Sequence, residues 1–346
     1  MEYRKLGRTN LDVSLICLGT MTWGRQNTED EGHEQMDYAI DKGINFFDTA
    51  EMYAVPPTPE TYGKTETIIG TWFAKTGNRD KVILASKIAG PALPWIRGGD
   101  YTIDRKNILE ALEGSLKRLQ SDYIDLYQLH WPNRGSYHFS QHWEYAPKFD
   151  ANQVNDNFLD VLQTLDEQVK AGKIRNIGLS NESAWGTMKW LRLSEEQNLP
   201  RMASIQNEYS LLCRQFDTDL HEVAVAEECG LLAWSPLGGG MLSGKYLNGA
   251  RPKGSRWDID PRFLQRDTQE GNDAVESYIK IAQKYNLDVC QMALAFVNQQ
   301  PFVTSNIIGA TSMEQLKTNI ASVDLTLSQD CLNDIAATYR KFPMVY

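Results

Sequence analysis

No apolar stretch in these 346 residues comes near the roughly eighteen needed to cross a membrane. The opening MEYRKLGRTN lacks the apolar core of a secretion signal, so a cytoplasmic protein is expected. Cysteine is scarce: Cys17, Cys213, Cys229, Cys290 and Cys331 are odd in number, scattered, and form no C-x-x-C pair. Reduced thiols are expected rather than a disulfide framework. No linker rich in proline, glycine or serine divides the chain, which is read as one domain over 1–346. Basic charge is in deficit, and a net charge of −10 would repel a nucleic-acid backbone. No H-E-x-x-H occurs, and no third ligand accompanies His138 and His142, four residues apart, so no metal is expected.

What the chain has is alternation. Short apolar runs of strand length fall at 15–18, 44–47, 82–85, 123–129, 174–179, 202–205, 230–234 and 303–308. Helical spacing lies between them, most clearly over 31–41, 104–119, 156–171, 182–197, 217–229, 273–285 and 312–322. Parallel strands covered by helices follow from that pattern. Eight units predict an α/β fold, a closed (β/α)8 barrel of the TIM type, with functional residues at the C-terminal ends of its strands. The competing open doubly wound sheet usually carries G-x-G-x-x-G after its first strand, where this chain has GTMTWG. Residues 2–13 read as an N-terminal β-hairpin and 328–340 as an extra C-terminal helix. Long loops are expected at about 131–153 and 236–268.

Three of the runs end in an ionisable side chain. Asn45 to Tyr53 reads NFFDTAEMY, an apolar run halted by Asp48 with Tyr53 five residues on. VILASK ends at Lys87, and YIDLYQLH ends at His130. If these strands are neighbours, the four groups share one rim. A lysine beside a phenol favours the phenolate and lowers its pKa, a carboxylate keeps that lysine charged, and a histidine can hydrogen-bond the same substrate oxygen. Any one of them alone would read as a structural or solvated group.

FFDTAEMY, ASK and YQLHWP, followed in order by IGLSN, IQNEYS, SPLGGGMLSGKY and IIGATSMEQLKTN, resemble the aldo-keto reductase family from about residue 3 to 322. MYAVPPTPETYGKTE and KYLNGARPKG most resemble its bacterial Tas-like branch, itself similar to potassium channel β subunits. The resemblance implies a catalytic group of Tyr53, Asp48, Lys87 and His130. It also implies NADP(H) stretched across the barrel mouth and a small carbonyl compound as the substrate. The alternative it carries is an NADPH-binding redox sensor that reports to a partner protein. Oligomeric state is left open.

The cofactor contacts implied by the family begin at Gly19, Thr20 and Met21 and continue at Ser180, Asn181 and Gln206, which could bond a carboxamide. Tyr209 offers a ring for nicotinamide stacking. Asn181 could equally be a helix N-cap and Tyr209 plain loop packing. Next come Ser235, Pro236, Leu237, Gly239, Gly240, Leu242, Ser243, Gly244 and Lys245, a loop whose backbone can approach a pyrophosphate. GGMLSGK within it resembles a Walker loop, but Tyr246 stands where serine or threonine should. Lys245, Arg251, Lys253 and Arg256 have no acid among them, which suits either a bound anion or a solvated loop. The family places Ser255 and Arg256 on the adenosine 2′-phosphate, and Gly309, Ala310, Thr311, Gln315 and Asn319 at the adenosine. Thr318 departs from the channel subunits, which have an acid there. Trp23, Trp131 and the aromatic run Tyr137, His138, Phe139, His142, Trp143 and Tyr145 are expected to wall the substrate pocket, core packing being the alternative for them.

Overall fold

The computed structural model describes residues 1–99 and 102–346. The chain opens with an antiparallel hairpin, β1 (Tyr3–Lys5) and β2 (Asp12–Ser14). The barrel strands follow: β3 (Ile16–Gly19), β4 (Phe46–Asp48), β5 (Ile83–Ile88), β6 (Ile124–Leu129), β7 (Ile174–Ser180), β8 (Met202–Glu208), β9 (Gly230–Trp234) and β10 (Val303–Ile308). Each pairs in parallel with its neighbours, and β10 closes onto β3 through Asn306 opposite Ile16. The expected (β/α)8 barrel is therefore present, with all eight runs as its staves.

Side chains alternate across each stave. Phe46 points inward with Cys17, Ala85, Leu126, Ala203, Leu232 and Ile307, a small apolar core closed at the bottom by Leu6 and Val13 of the hairpin. Phe47, one residue on, faces the helices. Gly7 turns the hairpin with a φ of +55°, and a Cβ there would lie 2.3 Å from the carbonyl oxygen of Ala203. Only glycine lets the plug seat that deeply.

Around the barrel run α1 (Glu29–Asp41), α2 (Lys64–Thr76), α3 (Arg105–Leu119), α4 (Ala151–Lys170), α5 (Ala184–Glu196), α6 (Asp219–Ala226), the single turn α7 (Arg256–Ile259), α8 (Gln269–Lys284), α9 (Val289–Asn298), α10 (Met313–Ala321) and α11 (Gln329–Lys341). Helix starts follow capping chemistry. Thr28 and Glu31 form a capping box on α1, and Ser183, Asp288 and Ser328 cap α5, α9 and α11. The expected C-terminal helix is α11, which lies outside the barrel against α8, joined by Lys284 to Asp334 at 2.6 Å. Asp150 starts α4 five residues ahead of the predicted boundary, and the loop after β6 ends at about 150 rather than 153. No helix of the described residues is long and apolar enough to cross a membrane.

Candidate active site

The strand register sets the site. Asp48 lies opposite Gly19 and Ala85 at the end of β4, and Lys87 stands opposite Gln128 two residues further along β5. Lys87 and Gln128 are wholly buried. The lysine Nζ donates to Asp48 Oδ2 at 2.6 Å, to the Thr49 carbonyl at 2.8 Å and to the Tyr53 hydroxyl at 3.4 Å. Tyr53 and His130 meet edge to face with ring centroids 5.8 Å apart. The three side chains singled out at strand ends and Tyr53 on the adjoining loop thus converge at one rim.

Electrostatics at this rim depart from the sequence-based expectation in one respect. Burial raises the Tyr53 phenol above its ordinary range, and the downward pull of Lys87 offsets this only in part. Burial would by itself lower Lys87, yet Asp48 and Tyr53 outweigh it and the ammonium is held above its usual value. His130 is pushed well below 6.5 by burial and then by the Lys87 charge. At neutral pH the group therefore contains a protonated phenol, a charged ammonium and a neutral imidazole.

Asp48, Tyr53 and His130 open onto a cavity of about 720 Å³, a size typical of small-molecule sites. Its walls include Gly19, Thr20, Met21, Trp131, Ser180, Asn181, Gln206, Ser235, Pro236, Leu237, Gly239, Gly240, Ser243, Lys245, Ser255, Arg256, Gly309, Ala310, Thr311, Gln315 and Asn319. Asn181 is not the cap of α5, which is Ser183, so the bland reading of Asn181 falls away. Asn181 and Ser235 both hold φ of +53° at strand ends, a conformation that costs a non-glycine residue energy and clusters at ligand sites.

Other expected residues lie elsewhere. Tyr209 is fully buried away from the cavity, its hydroxyl on Asp217 at 2.6 Å and its ring packed against Phe296 and Phe302. Trp234, which ends an apolar run with nothing in the sequence to set it apart, lines the cavity and stacks on Phe139 at 5.8 Å. Trp23 belongs to the core beneath α1, its indole bonded to Gln35 at 3.0 Å. Leu242 and Gly244 do not line the cavity, and the Leu242 side chain packs in the core. Of the six aromatic or histidine residues expected from the loop after β6, Phe139 alone reaches the wall. His138 is instead turned onto the Glu182 carbonyl, and its burial lowers it to about 4. Of the four cations after β9, Lys245 and Arg256 line the cavity, whereas Arg251 is taken up by an ion pair with Asp267 and Lys253 is exposed.

Unpartnered polar atoms say what the cavity would accept. Asn181 Oδ1, Trp234 Nε1, Ser255 Oγ and Arg256 Nη1 are all buried without a hydrogen bond. Such atoms are costly unless a ligand satisfies them. Gly239 and Gly240 have positive φ, and nothing lies within 4 Å of a Cβ built on Gly309, so main chain is open to close approach at two places. Phe263 and Arg266 complete the mouth, held by a buried pair of Arg266 with Glu208 at 2.8 Å, to which the Tyr346 hydroxyl donates at 3.1 Å. A ligand that carries both an amide and anionic groups fits this set.

A model of the aldo/keto reductase family matches residues 15–340. The chain belongs to the aldo/keto reductase family. Among its relatives, protein tas of Escherichia coli is 50% identical over 344 residues, 99% of each chain. An uncharacterised oxidoreductase of Bacillus subtilis, YrpG, is 35% identical over 97% of this chain and 96% of its own. A putative voltage-gated potassium channel β subunit of Schizosaccharomyces pombe is 32% identical over 94% and 88%. This aldo/keto reductase is thus an oxidoreductase-type barrel with both Tas-like and channel-subunit-like relatives.

Proposed function

We propose that the protein reduces aldehydes or ketones with NADPH, Tyr53 donating the proton. The observation that carries this reading is the phenol of Tyr53 within hydrogen-bond reach of the buried Lys87–Asp48 pair, at the wall of the cavity. NADPH, when bound, supplies the hydride. Tyr53 holds the proton at neutral pH and delivers it to the carbonyl oxygen as negative charge develops there. Lys87 remains charged and stabilises the phenolate left behind, which a neutral neighbour could not do. Asp48 keeps Lys87 protonated and fixed. His130 is neutral, so it orients and polarises the carbonyl by hydrogen bonding rather than as an acid. Ser180, Asn181 and Gln206 would hold the nicotinamide carboxamide, and Trp234 rather than Tyr209 offers the indole face beside the ring. Arg256, Lys245 and Ser255 favour the extra phosphate of NADPH over NADH.

Tyr53→Phe is expected to lower kcat by at least about a hundredfold while leaving the dissociation constant for NADPH within roughly twofold, read by fluorescence titration and a carbonyl panel. Retained turnover would remove Tyr53 from the role. A sensor role is favoured by one observation, the similarity to the yeast channel subunit. Tight NADPH retention, slow turnover across the panel and a stable protein partner would together select it.

A further inference from the structure

Both amides at the cavity wall have their N–H groups committed to the protein. Gln206 Nε2 donates to Asp48 Oδ1 at 2.8 Å and to Gln128 Oε1 at 3.1 Å. Asn181 Nδ2 donates to the His130 carbonyl at 2.8 Å and to Ser180 Oγ at 3.1 Å. A primary amide nitrogen has two hydrogens, so neither residue has a donor to spare. Each can offer a ligand only its carbonyl oxygen, and Asn181 Oδ1 is already buried with no partner.

The polarity of Gln206 is imposed from below. Asp48 presents a carboxylate oxygen, which only the nitrogen end of an amide can face. Gln128, buried on β6, obeys the same demand: its Nε2 donates to Asp48 Oδ1 at 3.2 Å. That turns its own oxygen toward Gln206, where it takes the second hydrogen. Asp48 thus takes one hydrogen of Gln206 directly and, through Gln128, fixes the acceptor that takes the other, which leaves Gln206 as a pure acceptor.

We propose that Gln128 is a positioning residue that commits Gln206 to accept, so that the site selects a dinucleotide whose ring carries a primary carboxamide, the two N–H groups of which match the two acceptors. This rests on the cofactor reading proposed above and adds to it a residue that makes no contact with the ligand. Replacing the carboxamide by an acetyl group removes both donors and sets a methyl against buried oxygens.

The experiment is a tryptophan-fluorescence titration of the full chain with NADP+ and with its 3-acetylpyridine analogue, for the wild type, Gln128→Leu and Gln128→Met. Trp131 and Trp234 line the cavity and report occupancy. The wild type is expected to prefer NADP+ by about tenfold or more, the consequence of leaving acceptors unpaired. In either variant one N–H of Gln206 is released and can reach the acetyl oxygen, so the preference is expected to shrink at least about threefold. Equal weakening of both ligands, with the ratio intact, would make Gln128 a space-filler and overturn the proposal. So would a wild type that binds the two ligands equally, a result that needs no variant to fold. A wild type that binds neither dinucleotide would overturn the cofactor reading itself.

Discussion

Asp48 divides its oxygens between a cation and two amides, one oxygen on Lys87 and the other on Gln128 and Gln206. A buried ion pair is not stabilising by default, because desolvation offsets the attraction. Here both oxygens are hydrogen-bonded, which is the condition under which such a pair persists. The titration of its neighbours gives a test. With the phenol above its ordinary range and the imidazole well below 6.5, neither group changes charge near neutrality. Carbonyl reduction, which needs the protonated phenol, is expected to show a flat kcat/KM between about pH 6 and 9 with no limb near 6.5. Alcohol oxidation needs the phenolate and should climb through the same range. A reductive limb near 6.5 that disappears in His130→Gln would contradict the neutral imidazole. Folding follows the same sign. His130 contributes fully above about 6.5, and stability is lost as pH falls below that, because the unfolded chain then binds a proton that the folded chain refuses.

Helices α2 and α9 show where element-level reading fails. No named helix was expected over 64–76, where TETIIGTWF carries β-branched residues and a glycine, and where α2 starts on Gly63 with no side-chain cap. Gly70 is there for contact, not flexibility: a Cβ on it would lie 2.1 Å from the carbonyl oxygen of Arg118 at the end of α3. Gly70→Ala is expected to destabilise by about 2 kcal/mol in urea unfolding, since overpacking against main chain outweighs the gain in helix propensity. A stability equal to or above the parent would show that α2 can move away from α3. In α9 nearly every residue of VCQMALAFVN is apolar and most are buried, so no amphipathic stripe exists to be read. The eight barrel strands were legible because each is a short apolar run between turns. Asp48, Lys87 and His130 were legible because an ionisable side chain ends such a run. Trp234 ends one too, but an indole there is indistinguishable from core. Gln128 lies inside its strand and offered no signal short of three dimensions.

Across the whole molecule, an acidic chain presents a cavity lined by Lys245 and Arg256. For the proposed cofactor, binding of a doubly anionic 2′-phosphate there would be local attraction set against a repulsive average field. Arg256→Ala is expected to raise the dissociation constant for NADPH about tenfold or more while changing that for NADH little, since one charge-assisted hydrogen bond is worth roughly 1.5–3 kcal/mol. Isothermal titration with both cofactors at two salt concentrations checks this, and equal losses for the two would place Arg256 away from the phosphate. Barrel closure has its own consequence. β10 pairs with β3 through Asn306 opposite Ile16, and Ser305 Oγ donates to the Ser14 carbonyl of β2, 291 residues away, so the seam between β3 and β10 cannot form until residue 306 has emerged from the ribosome. At ordinary synthesis rates that leaves one edge of LICL unpaired for roughly 15 to 60 s, and an unpaired apolar edge is a template for pairing with another chain. The first barrel strand to be made is the last to be completed, and it is the segment for which a holding chaperone would matter most.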